Sequence, residues 1–223
     1  MKKGFTLTEL LMAMTIVGVI AVLTVPILMN NIQNRVFANQ VKNMAATIEQ
    51  LAQDELIAHR TRDLSDTDFG DPAKLLSDKH FSIVKKCTAS NSKKDCWKTT
   101  ATGKDKVTYK FLNKSGNANP STAGITIMLK NGVIMRYTKP ASTYNKSEDI
   151  VGQMLFDING NDKPNIAGRD FFGFFVTNKG KIVDRSYTTE SDDTLETKIT
   201  KCKNNNVYYC YGALIDNGWK MDY

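Results

Sequence analysis

Lys2-Lys3-Gly4-Phe5-Thr6-Leu7-Thr8-Glu9-Leu10 opens the chain and leads directly into an uncharged apolar run that ends at Met29. From Leu10 to Met29 the run is 20 residues long. As a helix rising about 1.5 Å per residue it covers roughly 30 Å, the thickness of a bilayer's hydrocarbon core. Past Pro26 the pattern becomes amphipathic. Ile32, Val36, Phe37, Val41, Met44, Ile48, Leu51 and Leu56 recur at steps of three to five residues, and Asn34, Arg35, Gln40, Lys42, Gln50 and Gln53 fill the positions between. The spacing predicts one helix to about His59, its first half apolar all round and its second half packed under a sheet.

Glu9 decides how the apolar run is read. A secretory leader would end in a small-residue cleavage site, but the run ends Leu28-Met29-Asn30-Asn31. A plain membrane anchor fits the length and the flanking lysines, which the positive-inside rule places in the cytoplasm. It leaves Glu9 without a purpose, because a carboxylate at membrane depth costs a few kcal/mol and ordinarily marks a partner.

Gly4-Phe5-Thr6-Leu7-Thr8-Glu9 followed by the apolar helix resembles the processing motif of the type IV pilin and pseudopilin family across the whole N-terminal segment. The resemblance implies that a prepilin peptidase cuts after Gly4 and methylates Phe5. It implies further that Glu9 neutralises the new terminal amine of a neighbouring subunit, and that Pro26 bends the helix. By the same resemblance the partners are further copies of the chain, the membrane, an assembly ATPase and a platform membrane protein. The chain would begin as a single-pass protein of the bacterial cytoplasmic membrane with its head exported, then enter a pilus or pseudopilus.

The chain has 223 residues and a formal charge of +7. Removal of residues 1–4 leaves 219 residues and, with Lys2 and Lys3 gone, 28 basic against 23 acidic side chains, a balance of +5. The expected organisation is a leader at 1–4, a membrane or filament-core helix at 5–29, its amphipathic continuation at 30–59 and one globular head at 60–223. The densest basic cluster, Lys85-Lys86 with Lys93-Lys94, is interleaved with acidic residues elsewhere and accompanied by no basic helix or aromatic motif, so it reads as a solvated loop rather than a nucleic-acid surface.

Four cysteines fall in two close pairs, Cys87 with Cys96 and Cys202 with Cys210. In an exported head two local disulfides are the economical pairing, although four cysteines allow three pairings.

Within the head, Asp71 and Pro72 signal the N-cap and first position of a short helix. Alternation predicts strands over Lys106–Leu112, Gly124–Leu129, Val133–Thr138, Met154–Asp157, Phe171–Thr177 and Lys181–Ser186. A flexible loop is expected at 113–123, and hairpin turns at Lys130-Asn131-Gly132 and Asn178-Lys179-Gly180. Gly218 is expected to follow a short helix or turn, with Trp219 packing on the sheet. A long helix followed by an antiparallel sheet is an α+β arrangement, which is also the fold that the pilin resemblance implies.

Asp157-Ile158-Asn159-Gly160-Asn161-Asp162 and the following Asn165 and Asp170 form the most distinctive internal run. Asp157, Asn159, Asn161 and Asp170 offer hard oxygens of the type calcium takes. The alternative is an Asx-rich connection that caps its own backbone, with Gly160 at positive φ. The spacing departs from the EF-hand loop, which wants glycine sixth and glutamate twelfth. His59 and His80 lie in no catalytic motif and read as surface residues, and no phosphate-binding glycine loop or zinc-protease helix is present, so no enzyme and no required cofactor are expected. The glycosylation-like triplets at 113–115 and 145–147 carry little weight in the bacterial setting that the pilin resemblance implies. Two roles are compatible with these patterns: a structural filament subunit, or a minor subunit whose head is a tip-borne binding module for a protein, a surface or DNA.

Overall fold

A computed structural model of the chain describes residues 4, 6–113, 116–120, 124–142 and 147–223. The chain divides into two compact units, Met1–Val36 and Phe37–Tyr223. Helix α1 (Leu7–His59) begins in the first and ends in the second, continuing through Pro26. Proline has no N–H to offer the carbonyl of Val22, so the helix loses one ladder bond there.

Within the first unit the apolar side chains of α1 are exposed on every side. Leu7, Met12, Val17, Val22 and Leu23 each keep more than 60 % of their surface. Ile32 and Val36, expected on the inner stripe, are also exposed. In the second unit the inner stripe of α1 is Phe37, Ala38, Val41, Ala45, Ile48 and Ala52, all buried in the core that the sheet shares. Alanine every seven residues, at 38, 45 and 52, keeps that face thin and lets another backbone approach closely. Ala52 shows this directly: a Cβ on Gly180 would stand 3.0 Å from its own Cβ.

Six strands follow in chain order across one antiparallel sheet: β1 (Ile83–Cys87), β2 (Ile125–Leu129), β3 (Ile134–Thr138), β4 (Ile150–Asp157), β5 (Phe171–Thr177) and β6 (Ile182–Val183). Cross-strand partners share a face. One face carries Met135, Tyr137, Met154, Phe156, Phe172 and Phe174; the other carries Arg136, Gln153, Leu155, Phe171 and Phe175. Both are covered, and for that reason β5 is buried at every position. On the first, Tyr137 donates its hydroxyl to the Phe69 carbonyl at 3.0 Å. On the second, Trp97 and Tyr109 pack on Phe171, and Tyr208 packs on Phe175. The β2–β3 turn has Gly132 at φ +91°, a conformation only glycine adopts freely.

Short helix α2 (Pro72–Leu75) is capped by Asp71, whose carboxylate accepts from the Ala73 N–H at 2.9 Å. The C-terminal third is helical: α3 (Arg185–Thr189), α4 (Leu195–Asn204) and α5 (Tyr208–Asp216). Tyr208 contacts Phe175 and Tyr211 contacts Phe174, residues on opposite faces of β5, so α5 straddles the part of the β5 edge that two-residue β6 leaves uncovered. Disulfides join Cys87 to Cys96 and Cys202 to Cys210.

Three expectations need correction. Lys106–Leu112 is not a ladder strand. Val107, Tyr109 and Phe111 do alternate inward, but the backbone donates elsewhere: the Val107 N–H to the Lys98 carbonyl, the Tyr109 N–H to Asn119 Oδ1 and the Lys110 N–H to the Asn165 carbonyl. Strand β6 stops at Val183 because the Asp184 carboxylate turns back to cap Ser186 and Tyr187, starting α3 where a strand was expected to run to Ser186. Trp219 packs edge-on against Tyr211 of α5 and beneath the Lys42 ammonium. His80 is not a surface residue; its side chain is 5 % exposed between two carboxylates. Part of the loop expected at 113–123, and part of each glycosylation-like triplet, lie outside the described residues.

Candidate functional site

The first turn of α1 is built by a reciprocal pair. Glu9 Oε2 accepts from the Thr6 N–H at 2.9 Å and from the Thr6 hydroxyl at 2.8 Å, while the Glu9 N–H donates to Thr6 Oγ1 at 3.3 Å. This is the Thr-x-x-Glu capping box, which satisfies orphan donors at a helix start and sets a carboxylate against the positive end of the helix dipole. Glu9 is the only charged side chain between Gly4 and Asn34, and it is exposed. Gly4 lies just before this turn; among the described residues beyond its chain neighbours, no atom stands within 4 Å of where a Cβ would be. Phe5, expected to be methylated, and leader residues 1–3 lie outside the described residues. Among the described residues, α1 is the one helix long and apolar enough to cross a membrane.

A model of the prokaryotic N-terminal methylation motif matches residues 1–25. The chain carries the type IV pilin and pseudopilin signature. That signature implies processing by a prepilin peptidase and assembly into filaments, and it fits membrane anchoring through α1. The pilin-type motif and the α+β head, a long helix followed by a six-stranded antiparallel sheet, agree with one another. No curated protein and no solved structure matches the chain.

The β4–β5 connection carries the four residues expected to hold calcium. Strand pairing sets Asp157 opposite Phe171, next to Asp170. Asp157 is fully buried; its Oδ1 accepts from the Asn159 N–H at 3.1 Å, and its Oδ2 has no hydrogen bond. The Tyr109 hydroxyl stands beside it without a hydrogen bond of good geometry. Both oxygens of Asp170 are engaged, by the Asn165 and Ile166 N–H groups at 2.6 Å each. Asn159 donates to the Asp162 and Lys163 carbonyls, and Asn161 donates to the Cys96 carbonyl at 2.9 Å.

Gly160 has φ +72°, so much of the run caps its own backbone. Burial, then the charge of Asp170, pushes the Asp157 carboxyl well above its ordinary value, and burial raises Asp170 to about 6. Four oxygens in the loop remain buried without a hydrogen bond: Asp157 Oδ2, Asn159 Oδ1, Asn161 Oδ1 and Asn165 Oδ1. One carboxylate and three amide oxygens are a donor set calcium accepts, whereas Asp170 is already committed to the backbone.

Two further clusters had no motif to announce them. Glu55, buried near the end of α1, accepts from the Asp68 N–H at 3.2 Å and from Lys79 Nζ at 3.1 Å; Lys79 also reaches Asp68 at 2.6 Å, and His80 Nε2 lies 2.9 Å from Asp68. These acids and His80 lie close enough to hold a metal, but the Lys79 ammonium already occupies the gap between the carboxylates. The second is a cavity of about 490 Å³ on the sheet face that carries Arg136. Its residues come from six separate segments, and for that reason no local pattern marks it.

Proposed function

We propose that the chain is a prepilin-like structural subunit of a type IV pilus or type II secretion pseudopilus, cut between Gly4 and Phe5, methylated on Phe5 and assembled into a helical filament. The observation that carries this reading is Glu9: one carboxylate at the first turn of a helix whose other side chains are apolar and exposed over some 20 residues. An apolar surface of that extent needs lipid or other helices around it. Cutting at Gly4 creates an amine one helical turn before Glu9. When such helices pack side by side the amine is buried, and a neighbour's carboxylate is the group that offsets its charge. Repetition of one heterologous contact generates an open helix, so the role requires no catalytic residue. An assembly ATPase and a platform membrane protein complete the machine in this reading, and the filament passes from the cytoplasmic membrane outward.

In cells with an active prepilin peptidase, mass spectrometry of the mature chain should find N-methylated Phe5 as its first residue. Glu9→Ala should insert into the membrane as the parent does yet form no filaments. Parental filament growth by that variant would overturn the role given to Glu9, and an intact Met1 terminus would overturn the whole reading.

The four unpartnered oxygens support a second, separable proposal: that calcium binds the β4–β5 connection through Asp157, Asn159, Asn161 and Asn165. It would stiffen the loop without entering any chemistry. A ligand that binds only the folded state must raise the melting temperature. The full chain in detergent should melt higher in millimolar calcium than in equal magnesium, and Asp157→Asn should abolish the difference. Identical melting in the two ions would dispose of the site.

A further inference from the structure

We propose that Glu55, Asp68 and His80, where the end of α1 meets the segment that follows it, form a binding site for one divalent transition-metal ion of the zinc class, and that the ion enters by displacing the Lys79 ammonium. The proposal concerns the head alone and depends neither on filament assembly nor on the β4–β5 connection.

Each donor stands on backbone that is already anchored. Glu55, 4 % exposed, lies one turn before the end of α1, and its Oε2 accepts from the Asp68 N–H at 3.2 Å. Asp68 precedes Phe69, which is fully buried and whose carbonyl accepts from the Tyr137 hydroxyl. The His80 N–H donates to the Ser77 carbonyl at 3.2 Å, and only 5 % of the His80 side chain is exposed.

His80 Nε2 lies 2.9 Å from Asp68 Oδ2 and 3.8 Å from Glu55 Oε1. One ligand atom from each of the three residues falls within 4.8 Å of the other two. Ligands about 2.1 Å from a tetrahedral ion stand roughly 3.4 Å apart, a value between the two separations at His80. Lys79 shows that the gap accepts a cation, since its Nζ is 2.6 Å from Asp68 Oδ2 and 3.1 Å from Glu55 Oε1.

Carboxylates alone would not select an ion. The imidazole does: one nitrogen and two carboxylate oxygens suit zinc, with the fourth place left to water, whereas calcium and magnesium prefer an all-oxygen shell. His59 Nδ1 lies 3.4 Å from Glu55 Oε2, the oxygen on the far side of that carboxylate, so both histidines of the chain border one glutamate. Outer partners of this kind hold a ligating carboxylate in place. The Lys79 side chain is 58 % exposed, so water can receive its ammonium at little cost. A divalent ion brings twice the charge to the same two oxygens and uses the imidazole as well. Bound there, it would fasten the end of α1 to the segment that carries Asp68 and His80.

Zinc chloride titrated into the full-length chain in detergent, with millimolar calcium present throughout to saturate any calcium site, should bind as a single ion per chain by calorimetry. Zinc at about a hundred times its dissociation constant should raise the melting temperature by roughly 5 °C. His80→Gln keeps a polar group for Asp68 but removes the nitrogen ligand. It should weaken zinc by more than the roughly 10–100-fold that loss of an outer partner costs. Lys79→Ala should act in the opposite sense: the metal-free chain melts lower, yet zinc binds about two- to fivefold tighter because the competing ion pair is gone. A cluster with only a structural role would not produce that tightening. Absence of a zinc-induced shift in a parent chain that melts cooperatively would overturn the proposal. Parental affinity in folded His80→Gln would assign the zinc to adventitious surface groups and overturn it as well, and so would unchanged or weaker binding in folded Lys79→Ala.

Discussion

Helix α1 carries a glutamate near each end, and the two have opposite surroundings. Glu9 is exposed at the first turn, its only hydrogen-bonding partner among the described residues being Thr6, three positions away. Glu55 is 4 % exposed and is held by groups up to 24 residues away, at Asp68 and Lys79. The side chains around them differ in the same way. In the first unit Leu, Ile, Val and Met cover the helix surface and remain exposed; in the second, one stripe is sealed in a core and the opposite side is polar. A single secondary-structure element thus serves two solvents. Its first unit awaits lipid or other helices, whereas its second has the head as its environment already.

The contrast breaks most sharply under a buried charge. Ile48 is fully buried, so Ile48→Asp should cost more than about 4 kcal/mol and leave the head unfolded at room temperature, as seen in the loss of near-ultraviolet circular dichroism. Ile16, 54 % exposed, is the matched position in the first unit. Ile16→Asp should leave the head's melting unchanged in detergent and instead reduce membrane insertion, by a penalty of about 3 kcal/mol. If both substitutions unfold the head, the division of labour along α1 is wrong.

The disulfides test whether the head's stability is its own. Replacing both Cys202 and Cys210 with Ser opens a loop of eight-residue separation and should cost about 2.5 kcal/mol of head stability, with a comparable loss at Cys87 and Cys96. Neither change should affect how much protein partitions into membranes. Glu55→Gln should come next. It leaves the Lys79 ammonium facing an amide and weakens the bond to the Asp68 N–H, a loss of about 1–2 kcal/mol, again confined to the head's melting.

The same contrast explains what was legible in the sequence. Glu9 stands out in the sequence because its signal is local: a charge at the edge of an apolar run, with Gly4 and Phe5 a few residues before it. The hairpins at Gly132 and Gly180 and the cap at Asp71 were legible for the same reason. Glu55 was not, because its partners meet it only through the fold. Lys106–Leu112 shows the limit of period two, which reports that alternate side chains are buried but not what the backbone pairs with. Helix α4 did carry a readable signal that went unused, Thr194 as N-cap followed by Leu195, Ile199 and Cys202 at helical spacing. Arg136 had none, since a lone arginine in an alternating strand says nothing about which face is covered by segments distant in sequence.

The smallest effect is also the most specific. The Asp68 carboxyl is held below its ordinary value, first by the hydrogen bond from Lys79 and then by His80, against the opposing effect of burial. Its folded form therefore binds a proton less readily than the unfolded chain does. The resulting stability is complete above about pH 4, the ordinary aspartate range, and is lost as the pH falls further through the depressed value. Lys79 is 58 % exposed, so salt screens part of the effect and the loss should be shallower at high ionic strength. Asp68→Asn should flatten the head's stability below pH 4 and leave the slope above it unchanged, measured by denaturant melts at closely spaced pH values. Lys79→Ala should do the same by removing the other partner. Glu9→Gln should leave that profile untouched, because its hydrogen bonds lie in the first unit of the chain; a shift of the acid limb in that variant would mean that the two ends of α1 are energetically coupled.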